Sequence, residues 1–321
     1  MADRPTVWIT RKLSDNTEAR AARDYAVVLN PEDRVYSGDE IVAMSEKVDA
    51  ILPCHSEIFS ADVVTRLSDR VKIVANHSVG VDHCDLPAFG DRGIVVTNTP
   101  DVLSDATAEI AMLLLLGAAR RAAEGDRLVR SGGWTSWSPS FMVGTQVTGK
   151  RLGIVGMGRV GRVMAKRARG FEMEVHYFNR TRLPPEQEAG AIYHGRLDSL
   201  LKVSDFLSLH CPATHETTGL MNDRTFALLP PGAILVNSAR GALVDEDALL
   251  AALDGGRLAA AGLDCFRTEP GGNPAFGSHE NIFMLPHIGS ATRETRDAMG
   301  FRALDNLDAF FAGREPRDRL V

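Results

Sequence analysis

The sequence predicts an α/β protein of two domains, each built on a parallel sheet, and three observations carry that prediction. The chain has 321 residues, more than one core comfortably supports. Short apolar runs alternate with amphipathic stretches along nearly its whole length, the pattern of strands joined by crossover helices. A glycine-rich turn joins an apolar strand to a helix near the middle of the chain.

Taken in order, the first hundred residues give "TVWIT", "YAVVLN", "AILPC", "VKIVANHSVG" and "GIVVTNTP" as strands separated by helices. "SDATAEIAMLLLLGAARRAAEGDRLVRSG" then reads as one long helix, capped at Ser104 or Asp105, with Glu109 in its early turns and a stop at Gly132 and Gly133. Beyond the segment "GGWTSWSPSFMVGTQVTG" a second series begins. Its strands are "RLGIVGMG", "EVHYFNR", "SDFLSLHCP", "AILVNSAR", "LAAAGLDCF" and "IFMLPHIG". Six strands with intervening helices complete a doubly wound sheet. The helix "TRETRDAMGFRALDNLDAFFAG" comes after that sheet is finished, so it is expected to return to the first domain. The expected division is a discontinuous domain of residues 1–100 and 289–321 with a second domain, 101–288, inserted into it.

Composition narrows the class. Apolar residues at 44% and charged residues at 24% are globular values that leave little room for a long disordered region. A net charge of -6 argues against broad contact with nucleic acid or an anionic membrane surface. The apolar run Ile110 to Ala119 is about half the length that crosses a bilayer, and reads as a buried helix. "MADRPTVWIT" carries no apolar signal segment, and Cys54, Cys84, Cys211 and Cys265 form no C-x-x-C pair. The expectation is a cytoplasmic protein with reduced cysteines, no disulfide framework and no metal site.

"RLGIVGMGRVGRVMAKRARG" sets Gly156, Gly158 and Gly161 as G-x-G-x-x-G between strand and helix. In that context the first glycine allows a tight turn, the second lets a pyrophosphate approach, and the third lets helix and strand pack closely. The helix N-terminus then offers unpaired N–H groups and a favourable dipole to the anion. Met157, Arg159 and Val160 fall inside the same loop. Arg162, Lys166 and Arg169 recur at helical spacing beyond it and read as a solvated face. This is the signature of a Rossmann-like dinucleotide-binding domain.

About 20 residues further on, an NAD-preferring site would place an acid for the ribose hydroxyls. This chain has "HYFNRTR" instead: Asn179, Arg180, Thr181 and Arg182. Asn179 can bond a ribose hydroxyl or phosphate without repelling it, and the two arginines can donate to a 2′-phosphate. The sequence favours NADP(H), with NAD(H) as the alternative.

Three further segments follow strands of the second sheet, at the edge where ligands bind in such sheets. They are "LVNSARGALVDEDAL", "AGLDCFRTEP" and "NIFMLPHIGSAT". Hydride reduction of a carbonyl needs a group to hold the substrate anion, an acid for the new alkoxide and a partner for that acid. Arg240 suits the first role because its planar fork binds a carboxylate and polarises the neighbouring keto oxygen. His287 suits the second, since histidine exchanges protons near neutral pH, and Glu269 suits the third.

"GMGRVG", "NSARGALVDEDAL", "GLDCFRTEP" and "LPHIGSAT" closely resemble the D-isomer-specific 2-hydroxyacid dehydrogenase family, over nearly the whole chain. "SVGVDH", "TPDVLSDATAE" and "GGWTSW" resemble its glyoxylate and hydroxypyruvate reductases. The resemblance implies two domains, one flavodoxin-like and one dinucleotide-binding, with parallel sheets and a cleft between them. It implies that Arg240, Glu269 and His287 are the catalytic set, with His287 the proton donor in reduction. Asp264 would face the nicotinamide carboxamide, and backbone N–H groups near Val79 and Gly80 would bind the substrate carboxylate. Thr107 matches a position near the cofactor. "HCPATHET", with His210, Cys211, Pro212 and Thr217, matches the loop beside the adenosine. Ser238, Ala239 and Gly289 complete the implied cofactor set. Residues around Leu52 would set pocket size.

The resemblance also implies a homodimer, in which Trp137 either closes the neighbouring active site or packs only in the interface. Two departures stand out: Cys265 where valine is common, and an extra glycine pair in "PGGNPAFGS" after Glu269, which predicts a less rigid loop. The expected reaction is NADPH-dependent reduction of glyoxylate to glycolate and of hydroxypyruvate to D-glycerate. Alternatives are a reductase of bulkier 2-keto acids and a nucleotide-sensing, corepressor-like binding protein, which would be expected to carry extended tails.

Overall fold

The computed structural model describes residues 4–321. In the N-terminal half, five runs of apolar, largely β-branched residues form β1 (Thr6–Ile9), β2 (Ala26–Val28), β3 (Ala50–Leu52), β4 (Ile73–Ala75) and β5 (Val95–Thr97). They make one parallel sheet in the order β2-β1-β3-β4-β5. β3, β4 and β5 are buried at every residue, as expected where helices cover both faces. The helix Arg293–Phe311 belongs to this unit and packs on β4 and on the helix Asp15–Asp24. Its Ala303, Leu304 and Leu307 join Ile9, Leu52 and Ala75 in one buried cluster.

The second sheet has seven parallel strands: β6 (Arg151–Val155), β7 (Glu174–Phe178), β8 (Ile192–His194), β9 (Phe206–Leu209), β10 (Ala233–Asn237), β11 (Leu258–Leu263) and β12 (Ile282–Met284). Their order is β12-β11-β10-β9-β6-β7-β8. Six of these are the strands predicted; β8 is additional. It is three residues at the sheet edge with Ile192 exposed, too short to show a period in the sequence.

The long predicted helix is two. Ser104–Ala119 is buried nearly all round against β10 and β11. Arg121 then turns left-handed at φ +56, and a second helix runs Ala122–Arg130 with no buried residue. The break falls where the apolar run ends and Arg120 and Arg121 begin. Arg121 is fixed there by a two-pronged pair with Glu124 at 2.7 and 2.6 Å. Residues 131–140 are exposed throughout and carry Trp134 and Trp137.

The chain divides into two compact units, one ending at Leu103 and resuming at Ser290–Val321, the other Ser104–Gly289. Among the described residues no helix is long and apolar enough to cross a membrane.

Candidate active site

All strands of the second sheet are parallel, so the loops after β6, β7, β9, β10, β11 and β12 leave from one edge. Most of the polar residues picked out in the sequence lie on those six loops.

The glycine loop follows β6. Gly156 has φ +94, a conformation that glycine adopts without strain. A Cβ there would sit 2.5 Å from the Cys211 backbone nitrogen, so the loop after β9 leans directly on it. A Cβ at Gly161 would sit 2.3 Å from the Gly156 carbonyl oxygen, the close helix-to-strand packing that the third glycine serves. Gly158 begins the helix Arg159–Arg169 with no side-chain cap, and a Cβ on it would meet nothing within 4 Å. An open backbone surface over a helix N-terminus fits a dinucleotide diphosphate. Met157 and Val160 instead turn into the core; they shape the loop through packing.

Beyond β7 the polar residues part ways. Asn179 Oδ1 accepts the Met157 N–H at 2.6 Å, tying this loop to the glycine loop. Arg182 makes a two-pronged pair with Glu188 at 2.8 and 3.1 Å, and its guanidinium lies 5.5 Å from the Tyr193 ring centroid. Glu188 also accepts the hydroxyl of the fully buried Tyr177 at 2.6 Å. Thr181 is exposed. Arg180 is 83% exposed and approaches Glu216 at 3.8 Å.

On the loop after β9, His210 bonds Ser208 at 2.8 Å and burial holds its pKa down to about 4, so it is neutral at physiological pH. Burial pushes the Cys211 thiol up to about 11, which makes it a packing group. Thr217 donates to the Pro212 carbonyl at 2.7 Å and accepts the Thr214 N–H at 2.8 Å; it braces the loop.

After β10 the chain enters Ser238, Ala239 and Arg240. Buried Asn237 grips this turn with both ends of its amide, donating to the Arg240 carbonyl at 2.9 Å and accepting the Ala239 N–H at 3.1 Å. The Ser238 hydroxyl oxygen is buried with no hydrogen-bond partner among the described residues. Such groups are rare, and it fits a cofactor's polar edge. A Cβ at Gly241 would lie 1.9 Å from the Phe266 carbonyl carbon, so the Arg240 turn rests on the loop that carries Glu269.

Asp264, at the end of β11, is 1% exposed and accepts the Ile288 N–H at 2.8 Å. Burial raises its pKa, and the backbone bond from Ile288 opposes that rise. A Cβ on Gly289 would meet Asp264 Oδ2 at 3.2 Å and Thr107 Cγ2 at 3.4 Å, so Thr107, Asp264 and Gly289 converge as expected of neighbours of one ligand. His287 follows β12 with φ +54, an uncommon backbone state for a residue with a side chain and one that clusters at functional sites. Its Nδ1 bonds Glu269 Oε2 at 2.6 Å. Glu269 Oε1 in turn accepts the Phe266 N–H at 2.7 Å.

The glycine-rich stretch after Glu269 is held by more than the sequence suggests. Glu246 accepts the Arg267 N–H at 2.9 Å and the Asn273 amide at 3.0 Å, and the Gly272 N–H reaches the Thr268 carbonyl at 3.0 Å. Asn237 and Glu246 escaped the sequence reading although both lie inside its quoted motif "LVNSARGALVDEDAL". The signal was a buried polar residue ending a strand, and an acid in the first turn of the helix Glu246–Asp254.

In the first unit, Leu52 ends β3 and is fully buried. The Val79 carbonyl accepts from Asn98 at 2.9 Å and the Gly80 carbonyl from Ser78 at 2.7 Å, which fixes that turn. Trp137 is 74% exposed within its own chain.

The profile described as "D-isomer specific 2-hydroxyacid dehydrogenase, NAD binding domain" matches residues 112–289. The chain is 44% identical over 311 residues to a glycerate dehydrogenase of Hyphomicrobium methylovorum, covering 96% of this chain and 97% of that one. It is 41% identical over 318 residues to a glyoxylate reductase of Thermococcus litoralis, covering 98% and 96%. A crystal structure of an NADPH-dependent glyoxylate/hydroxypyruvate reductase from Sinorhizobium meliloti, in complex with NADP and malonate, superposes with a TM-score of 0.88 at 31% identity, covering 99% of this chain and 97% of that one.

Proposed function

The chain belongs to the D-isomer-specific 2-hydroxyacid dehydrogenase family, and from that premise we propose that it reduces glyoxylate to glycolate and hydroxypyruvate to D-glycerate, preferring NADPH. The coarser activity, an NAD(P)-binding oxidoreductase acting on 2-keto and 2-hydroxy acids, comes with the family. The observation that carries the catalytic part of this reading, His287 as the proton donor, is its 2.6 Å bond to Glu269 at the ligand edge of the sheet.

NADPH, when bound, supplies the hydride that reaches the keto carbon. Arg240 holds the substrate carboxylate and draws electron density toward the keto oxygen. His287 delivers a proton from Nε2 to that oxygen as it gains charge, while Glu269 keeps Nδ1 in hydrogen-bonded contact and the ring oriented. In the substrate unit, backbone N–H groups near Val79 and Gly80 serve as donors to a substrate carboxylate, and residues around Leu52 set pocket size. Residues 1–100 with 289–321 serve the substrate, and residues 101–288 serve the cofactor. The absence of an acid after β7, with Asn179 and the exposed Arg180 in its place, supports NADPH; Arg182, expected to donate to the same phosphate, is taken up by Glu188 instead. In this reading the protein is cytoplasmic and a homodimer, and Trp137 of one copy either closes the active site of the other or packs in the interface between them.

Initial rates with glyoxylate and hydroxypyruvate, each with NADPH and NADH, test the proposal. It expects turnover of both acids and a kcat/KM preference for NADPH of about tenfold or more, about 1.4 kcal/mol. Equal or better use of NADH would overturn the cofactor assignment, and turnover of neither acid would overturn the substrate assignment.

A further inference from the structure

The two arginines that follow β7 are not equivalent. Arg182 is committed: both prongs of its guanidinium bind Glu188, a residue whose side chain is only 9% exposed. That carboxylate also receives the Tyr177 hydroxyl, and the Leu183 N–H donates to the Tyr177 oxygen at 3.1 Å. These bonds sew the loop after β7 onto buried Tyr177. Moving Arg182 to a new anion would strip a sheltered carboxylate of its cation, a costly exchange.

Among the described residues Arg180 has a single, weak tie. Its Nη1 lies 3.8 Å from Glu216 Oε2, and both side chains are largely exposed, at 83% and 72%. Exposed pairs of this kind hold with roughly 0–1 kcal/mol, so a doubly charged phosphate can displace the carboxylate. Glu216 is nonetheless held close by. Its carboxylate accepts from Thr214 Oγ1 at 3.4 Å, and the Thr217 and Thr218 hydroxyls reach the Pro212 and Thr214 carbonyls at 2.7 and 2.8 Å. The loop therefore keeps a carboxylate beside the one arginine after β7 that is ready to take a new anion.

We infer that Glu216 is a specificity-determining residue: it is the resident counter-ion that Arg180 must give up to a 2′-phosphate, so it moderates the preference for NADPH over NADH. The inference rests on the proposed use of Arg180 as a 2′-phosphate reader. Arg182, Glu188 and Tyr177 act as positioning residues that hold the loop from which Arg180 projects.

The test compares the ratio of kcat/KM for NADPH to that for NADH in the unmodified enzyme, Glu216→Gln, Arg180→Ala and the double variant. Binding of adenosine 2′,5′-bisphosphate and of adenosine 5′-monophosphate, followed by calorimetry, gives the same comparison without turnover. Glu216→Gln is expected to raise the ratio about threefold, through KM for NADPH, and to tighten the bisphosphate alone. Arg180→Ala is expected to lower the ratio, and Glu216→Gln in that background to change it less than twofold. An unmoved ratio in Glu216→Gln, or a full effect that persists without Arg180, would overturn the inference. Equal use of both cofactors by the unmodified enzyme would overturn the underlying cofactor reading; Glu216→Gln gaining selectivity there would still support the gate, and no gain would overturn it.

Discussion

The loops after β10, β11 and β12 and the loop after β7 leave the same edge of one sheet, yet the charged side chains they carry are held in opposite ways. Around Arg240, Glu269 and His287 the braces are hydrogen bonds of 2.8–2.9 Å: Asn237 grips the Arg240 turn, Glu246 grips the loop after Glu269, and Asp264 holds the chain next to His287. Around Arg180 the tie is a long ion pair in solvent. Chemistry demands fixed geometry, because proton transfer fails when the donor is misplaced. Cofactor choice can be tuned by exposed charges at small energetic cost.

The contrast can be broken most severely at Gly241. A Cβ there meets the Phe266 carbonyl carbon at 1.9 Å, so Gly241→Ala is expected to cost roughly 3 kcal/mol or more of stability, read from denaturant unfolding. Asn237→Ala removes two bonds to the Arg240 turn and is expected to cost about 2 kcal/mol, with a fall in kcat that exceeds any change in cofactor binding.

Asp264 sharpens the comparison through pH. Burial raises its pKa in the folded protein, so the stability linked to its protonated form is present at low pH and is lost as pH rises through that raised value. Asp264→Asn carries no such loss. The melting-temperature difference, Asn variant minus unmodified, is expected to grow as pH is raised from about 4 toward neutrality, and a difference that stays flat would count against a strained carboxylate. The smallest expected effect is at the exposed end. Raising salt from about 0.05 to 0.5 M should weaken NADPH about threefold and NADH by less than twofold, because exposed charges are screened within a few ångströms at high salt.

Much of this was legible in the sequence, because the deciding features are local. Every strand of the two sheets except β8 announced itself as an apolar run, and G-x-G-x-x-G marked the strand-to-helix glycine loop at Gly156, Gly158 and Gly161. What stayed hidden depends on partners far apart in the chain. Arg182 reads as a phosphate donor until Glu188 is seen folded back onto it and onto Tyr177. Arg121 gives no sign that it leaves the helical conformation, since its propensity is ordinary and only the end of burial breaks the helix. Asn237 and Glu246 look like a strand end and a helix-start acid; their bonds to the turns of the site appear only in three dimensions.

Proton donation by His287, held by Glu269, is the central proposal for this enzyme. The most direct measurement is kcat for hydroxypyruvate reduction by His287→Ala, with NADPH binding to the same preparation followed by fluorescence. If His287 is the donor, kcat falls roughly 100-fold or more while the NADPH dissociation constant stays within about twofold of the unmodified value. Turnover that survives unchanged while NADPH still binds would contradict it.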